Sequence, residues 1–269
     1  MEYRGDEMLK RIVSAIIGLP FLLALIYLGG IPLFIGVLVI SLIGLREFYN
    51  ACKNKSLSPV EIVGYIGSIF LISLMYFVQN SLYVFLLFFI LFLILNIIQL
   101  KCGKYNFIDI SVTLYGIVYI PLLLSCILLI MNQPNNIVIW LVFITAWGTD
   151  TFAYFSGYFF GKTKLCPTIS PKKTVEGAIG GVLGSVIISI IFGYLFLKEY
   201  IIAMILIGAL GSIVAQTGDL SASLIKRYTG IKDFGNIMPG HGGVLDRFDS
   251  ILFTAPTIYL ILVLLINRG

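Results

Sequence analysis

The residue types best suited to chemistry are concentrated in one stretch of the chain, residues 219–249. Carboxylates can hold a divalent metal, cations can hold phosphate, and glycines let the backbone approach a ligand closely. Charged groups are costly in an apolar chain and usually mark a functional site. The stretch therefore predicts phosphate chemistry at a membrane surface. Its charged members are Asp219, Lys226, Arg227, Lys232, Asp233, Asp246, Arg247 and Asp249, together with the only histidine, His241.

Three aspartates of this stretch are candidate metal ligands. Asp246 and Asp249 are three residues apart at the start of a predicted helix, so they share a face. The helix dipole alone would explain one acid there. Asp219 lies where the apolar part of the eighth span ends, and we expect that helix to continue to about Arg227, so that Ser223 and Lys226 share a face with Asp219. Because Mg²⁺ is commonly held by one or two carboxylates plus substrate phosphates, the three acids predict a magnesium site.

A glycine-rich loop separates the two groups of acids and cannot be regular helix. It is much longer than the other connections, and long loops in compact domains are often functional. The His241 ring could reach a ligand or could simply be a satisfied polar side chain, and both interpretations stay open. Arg247 could hold a phosphate or pair with an aspartate. The loop glycines are Gly235, Gly240, Gly242 and Gly243.

A second polar segment, residues 161–177, contains the run Ser170-Pro171-Lys172-Lys173-Thr174. This run resembles a helix start, with Thr174 or Ser170 as the N-cap. A helix N-terminus beside lysines is a favourable place for phosphate. Glu176 could cap the helix or pair with a lysine. No Walker motif occurs, which excludes a P-loop NTPase.

The composition shows what must position these residues. The chain has 269 residues, is 59% hydrophobic and 12% charged, and has a mean hydropathy of +1.04. A soluble domain could not hide so much apolar surface, so we predict one all-α, polytopic membrane domain with nine helical spans. The predicted spans are about 12–29, 31–50, 60–78, 82–100, 107–131, 136–158, 175–196, 200–220 and 249–267. We expect the first span to be retained rather than cleaved as a signal peptide.

The lysines and arginines predict the topology of these spans. With nine spans, sixteen of the eighteen cations fall on one side of the membrane and two on the other. The positive-inside rule then predicts a cytoplasmic N-terminus and an external C-terminus. Both polar segments would face the cytoplasm.

Other features exclude further classes of protein. The four cysteines lack metal-ligand spacing, which argues against a zinc site and suggests free thiols. The chain has no basic face with interleaved aromatic residues outside the membrane segments, which argues against nucleic-acid binding. Two pairs of glycines have the small-residue spacing that allows close contact between helices, and we interpret them as packing residues. The pairs are Gly177 with Gly181 and Gly180 with Gly184.

The stretch from Ser223 to Asp249 closely resembles the signature of the phosphatidate cytidylyltransferase family, also called CDP-diacylglycerol synthases. The matching residues are Ser223, Ile225-Lys226-Arg227, Lys232-Asp233, Gly235, Pro239, His241-Gly242-Gly243-Val244 and Asp246-Arg247-Phe248-Asp249. Asp150 and the run from Ser170 to Gly177 resemble that family's second motif. Met238 departs mildly from the expected leucine, isoleucine or phenylalanine. The C-terminal half carries the resemblance, and the first five spans match only in general character.

The resemblance implies transfer of the cytidylyl group of CTP to phosphatidate, which gives CDP-diacylglycerol and pyrophosphate with Mg²⁺. It implies a catalytic half at 136–269 and a scaffold of helices at 1–135. It further implies an integral protein of a bacterial cytoplasmic membrane, a cytoplasm-facing active site and a homodimer. The implied catalytic residues are Asp219, Lys226, Asp246 and Arg247; the metal ligands are Asp219, Asp246 and Asp249. The implied substrate-binding residues are Ser170, Lys172, Lys173, Thr174, Glu176, Ser223, Arg227, Lys232, His241, Gly242 and Gly243.

Two other functions stay open on the sequence. A CTP-dependent polyprenol or dolichol kinase would share the nucleotide and the membrane but would transfer the γ-phosphoryl group. An ion-coupled transporter would use its acids near the bilayer midplane, often in repeated halves. The clustering of charges at one surface and the lack of an internal repeat favour the cytidylyltransferase.

Overall fold

The protein is an all-α polytopic membrane protein, as the composition predicts. The computed structural model describes residues 18, 20–238, 240 and 242–267, without the side chain of Cys102. The helices are α1 (Gly30–Lys53), α2 (Glu61–Ser73), α3 (Ser81–Cys102), α4 (Phe107–Ile117), α5 (Leu123–Met131), α6 (Ile139–Phe160), α7 (Val175–Phe196), α8 (Ile201–Thr229) and α9 (Leu245–Ile261). Short π-helical segments follow α2, α4 and α9, at Leu74–Val78, Val118–Leu122 and Leu262–Ile266.

Within this described part of the chain, eight helical stretches are long and apolar enough to cross a membrane. They coincide with the second to ninth predicted spans, and the stretch Val175–Phe196 has the predicted bounds. The helix of the eighth span extends to Thr229, as its polar continuation suggests. Residues 12–17 and 19 of the first predicted span, 12–29, lie outside the described residues, and residues 20–28 are helical. Many large apolar side chains of the eight stretches are exposed, which suits contact with lipid.

The chain divides into two compact units. One combines the described part of residues 1–129 with residues 228–248, and the other combines residues 130–227 with residues 249–267. The glycine-rich loop thus belongs to the first unit, whereas the lysine-rich segment 161–177 belongs to the second. The predicted site residues are therefore distributed over both units.

Polar contacts join α1, α2 and α4 in the first unit. The buried Tyr49 hydroxyl donates to the Thr113 carbonyl oxygen at 3.0 Å, and the Thr113 hydroxyl accepts the Val60 N–H at 2.8 Å. Asp109 completes a capping box with Asn106 and also accepts the Ser58 N–H at 2.6 Å. These hydrogen bonds satisfy the start of α4 and fix α1, which supplies part of the site described below.

Glycines determine how closely the helices of the second unit approach. A Cβ at Gly181 would lie 3.1 Å from both the Ala153 Cβ and the Thr149 carbonyl oxygen of α6. A Cβ at Gly208 would lie 2.6 Å from the Val186 backbone of α7. The predicted packing role of the small-residue pattern at 177–184 is therefore confirmed, and it brings α6 and α7 into extended contact.

A two-stranded antiparallel hairpin precedes α7, and the sequence did not predict it. Strand β1 (Lys164–Cys166) pairs with β2 (Ser170–Thr174), with Lys164 opposite Thr174 and Cys166 opposite Ser170. The prediction that the run from Ser170 to Thr174 begins a helix was therefore wrong for Ser170, Lys172 and Lys173. Pro171 and the β-branched Thr174 suit an extended edge strand, and the pairing with β1 outweighs the local helix-start signal.

Candidate active site

The start of α7 is fixed by two side chains of the lysine-rich segment. Thr174 is the N-cap, and its hydroxyl accepts the Gly177 N–H at 3.1 Å. Glu176 accepts the backbone N–H groups of Lys162 and Thr163, each at 3.1 Å. Glu176 therefore holds the chain that leaves α6 rather than a lysine side chain. These contacts place the hairpin directly before α7.

A cavity of about 460 Å³ lies beside the hairpin, between residues of α6, β1, β2, α7 and α8. This volume is within the usual range for small-molecule sites. Lys172, Lys173 and Thr174 line it, as do apolar and aromatic groups of α6. Three predicted substrate-binding residues therefore share one cavity. The other polar side chains in its wall belong to Asp150, Tyr154, Tyr158 and Gln216.

Lys173 lies among acidic side chains at this cavity. Its ammonium forms an ion pair with Asp219, and the two side chains are 28% and 24% exposed. Burial lowers the pKa of Lys173 from its ordinary value, while the nearby Asp150 and Asp249 carboxylates oppose that shift. Two of the predicted metal ligands, Asp219 and Asp249, therefore lie around one ammonium group. The carboxyl-rich surroundings also suit a cation other than lysine.

The C-terminal turns of α8 carry further cations. Arg227 donates through Nε to the Ile169 carbonyl oxygen at 3.3 Å, which links α8 to the turn of the hairpin. Ser223 and Lys226 are partly buried, and Lys226 acts electrostatically on Lys173. Ser223, Lys226 and Asp219 share a helix face, as predicted. This face of α8 and the β1–β2 hairpin therefore supply many of the polar side chains of the second unit.

The glycine-rich loop of the first unit is organised by Asp246. Its Oδ2 atom accepts the Phe234 N–H at 2.8 Å and the Gly243 N–H at 2.9 Å. The Met238 N–H donates to the Gly242 carbonyl oxygen at 3.0 Å and closes the turn. Gly240 and Gly242 have φ values of +76° and +86°, which side chains rarely adopt. The predicted non-helical loop is confirmed, and Asp246 lies in the first turn of α9 as predicted.

A residue of the first unit that the sequence reasoning did not single out also contacts this loop. Glu47 of α1 is only 4% exposed. Its Oε1 accepts the Val244 N–H at 3.0 Å, and its Oε2 accepts the Leu245 N–H at 2.8 Å. An acid inside an apolar span is a sign of function by itself, so Glu47 within the span 31–50 could have been found by that rule. The sequence indicated Asp150 as an acid near the end of an aromatic span and as part of the second motif.

Of the remaining predicted residues, those that the structure describes are less enclosed. Lys232 and Arg247 are exposed, and His241 lies outside the described residues. No group of three or more histidine, cysteine, aspartate or glutamate side chains is close enough to hold a metal within the residues that the structure describes. The assignment of Asp219, Asp246 and Asp249 as a joint metal site stays a prediction.

The fold and these polar groups define a membrane-embedded protein with a lysine-lined cavity, and comparison with known proteins specifies its class. The profile of the cytidylyltransferase family matches residues 9–265, and this chain belongs to that family. It is therefore a nucleotidyltransferase.

Curated relatives agree with this family. The chain is 33% identical to the phosphatidate cytidylyltransferase of Staphylococcus aureus strain COL over 267 residues, which is 94% of this chain and 98% of the relative. It is 34% identical to the proteins of the same name from Staphylococcus haemolyticus and Staphylococcus saprophyticus, with the same shares covered.

Proposed function

We propose that this protein transfers the cytidylyl group of CTP to phosphatidate and releases pyrophosphate. The observation that carries the proposal is the ion pair of Lys173 and Asp219 beside a cavity lined by Lys172 and Thr174. A cavity with two lysines suits a ligand rich in phosphate. Its aromatic wall, with Tyr154 and Tyr158, suits the apolar parts of a lipid. Relatives that carry the phosphatidate cytidylyltransferase name match nearly the whole chain.

The reaction requires no nucleophile from the protein. An oxygen of the phosphatidate phosphate attacks the α-phosphorus of CTP, and a new P–O–P bond forms. The bond between the α-phosphorus and its bridging oxygen to the β-phosphorus breaks, and pyrophosphate leaves with that electron pair. Two anionic reactants must meet, so the protein contributes by positioning them and by balancing their charge.

The cations divide this task between the two substrates. Lys172 and Lys173 bind phosphate at the cavity, and Thr174 and Ser170 support the strand that presents them. Lys226, Arg227, Lys232 and Arg247 balance the charge of the triphosphate. Gly242, Gly243 and His241 form the loop that approaches the nucleotide, and Ser223 contributes a hydroxyl on the face of Asp219.

The carboxylates fit a magnesium cofactor. Asp219 and Asp249 already surround an ammonium group, and Asp150 acts on the same group. One or two of these acids plus substrate phosphates match the usual ligands of Mg²⁺. Asp246 is the third predicted metal ligand, and its Oδ2 atom accepts two N–H groups of the loop. When bound, Mg²⁺ would neutralise charge on the phosphates.

The cytoplasmic face of a bacterial inner membrane is the expected location of this activity. CTP is cytosolic, and the positive-inside rule assigns residues 161–174 and 221–248 to the cytoplasm. The family resemblance further implies a homodimer, which sedimentation of the purified protein would test.

A two-label assay tests the proposed reaction. The purified protein in detergent receives phosphatidate, Mg²⁺ and CTP labelled either in the cytidine or at the γ-phosphate. We expect cytidine label in the lipid phase, unlabelled lipid from γ-labelled CTP, and loss of both transfer and pyrophosphate release in EDTA. Lipid labelled only from the γ-phosphate would instead identify a lipid kinase. Folded protein that transfers neither label would contradict the proposal.

A further inference from the structure

The Glu47 carboxylate is buried beside the glycine-rich loop and is fully engaged by it. Each of its oxygens accepts one backbone N–H, from Val244 at 3.0 Å and from Leu245 at 2.8 Å. These are the last residue of the loop and the first residue of α9. The first N–H groups of a helix lack partners within the helix, and a carboxylate is a favourable acceptor for them. Glu47 thus caps α9 from a different helix.

Two loop glycines fit around the same carboxylate. A Cβ at Gly243 would meet only Glu47 among its three nearest atoms, at 2.5 Å from Oε2 and 2.6 Å from Oε1. A Cβ at Gly235 would likewise meet Oε1, Cδ and Cγ of Glu47. Neither glycine has a positive φ, so the backbone does not require glycine there. The space taken by Glu47 therefore explains both glycines.

Asp246 is a second carboxylate at this loop, and it binds backbone N–H groups next to those that Glu47 binds. Asp246 accepts the N–H groups of Phe234 and Gly243, and Glu47 accepts the next two N–H groups along the chain. The N–H groups of residues 243, 244 and 245 are thus all bound by carboxylates. One acid belongs to α9 itself, and the other belongs to α1.

We infer that Glu47 is a positioning residue for the reaction. It fixes the entry of the loop into α9 and thereby the direction of the Asp246 and Arg247 side chains. This inference rests on the proposed function for its kinetic consequence, but the contact itself does not. A residue that positions a metal or phosphate ligand typically affects activity by about 10- to 100-fold.

The variant Glu47→Gln provides the main test. Glutamine has nearly the same shape but only one acceptor oxygen, so one of the two N–H groups would face an NH₂ group. We expect kcat/KM for CTP to fall about 10- to 100-fold, with KM for phosphatidate unchanged. Amide hydrogen exchange should accelerate in peptides that cover residues 231–246 and stay unchanged in α6 and α7. The matched control is Glu61→Gln, which removes a partly exposed acid paired with Lys53 at 2.5 Å and should change neither readout.

A double-mutant cycle tests the steric part of the inference. Gly243→Ala should impair activity and thermal stability in the native background, because its Cβ meets the Glu47 carboxylate. In a Glu47→Ala background, Gly243→Ala should reduce activity and thermal stability markedly less, because the carboxylate that its Cβ would meet is absent. Gly242→Ala is the control. The φ of +86° at Gly242 makes alanine unfavourable whichever residue occupies position 47. The loss of thermal stability should therefore be equal in both backgrounds.

The outcomes separate this inference from the proposed function. Native kcat/KM together with native loop exchange in Glu47→Gln would overturn the positioning role. Accelerated exchange in every helix would show a general structural role instead and would also overturn it. Equal costs of Gly243→Ala in both backgrounds would refute the steric link. If the native protein transferred no cytidylyl group, the proposed function would fail, while loop exchange and the stability cycle would still decide the role of Glu47.

Discussion

Lys173 shows how a single charge can organise acidic side chains. It pairs with Asp219 and lies near Asp150 and Asp249, in a partly buried position. Without a cation, these carboxylates would repel one another, and each would be costly to keep charged away from water. The lysine therefore has two tasks in the proposed reaction: it stabilises the acids in the absence of substrate and offers a charge to phosphate in its presence.

Removal of the Lys173 charge should greatly reduce turnover. Lys173→Met should reduce turnover about 100- to 1000-fold, the usual effect of removing one charge-stabilising donor. Lys173→Arg should retain part of the activity, because it keeps the charge but changes the geometry. The measurement is cytidine label transferred to lipid at saturating substrates. Lys164→Met, which replaces an exposed lysine of the same hairpin, is the control and should stay near the native rate. Equal losses at positions 164 and 173 would indicate a nonspecific charge effect.

Asp246 has a structural role in the loop and a proposed chemical role, and the two can be separated. In the variant Asp246→Asn, the amide oxygen can still accept the N–H groups of Phe234 and Gly243, but the negative charge is lost. We expect turnover to fall at least about 100-fold with native hydrogen exchange in the loop. Asp246→Ala should lose both activity and loop protection. A nearly native rate for Asp246→Asn would mean that Asp246 serves only the loop.

The entry into α7 is the clearest case of an element whose start was predictable and whose approach was not. Thr174 is one of two predicted N-caps, and its side chain does cap the helix. The preceding residues form strand β2, since pairing with β1 supplies hydrogen bonds that local sequence rules do not anticipate. Lys172 and Lys173 are therefore presented by an edge strand.

The cap gives a prediction about stability. Thr174→Val keeps the shape but loses the hydrogen bond to the Gly177 N–H, and we expect a loss of about 1 kcal/mol. Thr174→Ser should retain most of that stability. Thermal unfolding in detergent measures both variants, and Thr168→Val in the exposed hairpin turn is the control. Equal unfolding temperatures for valine and serine at position 174 would contradict the capping role.

The helical fold was largely predictable because long apolar runs admit little other than helices in a membrane. The close contact of α6 and α7 was also visible in the spacing of Gly177, Gly181 and Gly184. The contact of Glu47 with residues 244 and 245 was not visible, because a single sequence gives no sign of which distant backbone groups an acid will reach. The surroundings of Lys173 depend likewise on three helices that are distant in sequence.

The distribution of cations over the entire chain predicts its topology, which labelling can test. In a background with all four cysteines replaced by alanine, the variant Thr168→Cys should react with an impermeant maleimide only after the cells are opened. The variant Asn132→Cys should react in intact cells. Both positions are exposed. The reverse pattern would place the hairpin outside the cell and would contradict the positive-inside assignment.

The contact between Glu47 and Leu245 spans 198 residues of sequence. During synthesis, α1 therefore leaves the ribosome long before residue 245 has been made. Until then Glu47 lies within or beside the bilayer without its final hydrogen-bond partners. Contacts of such separation form late and slowly. The glycine-rich loop can reach its working shape only after nearly the entire chain has been made, so incomplete products of translation would not carry an assembled loop.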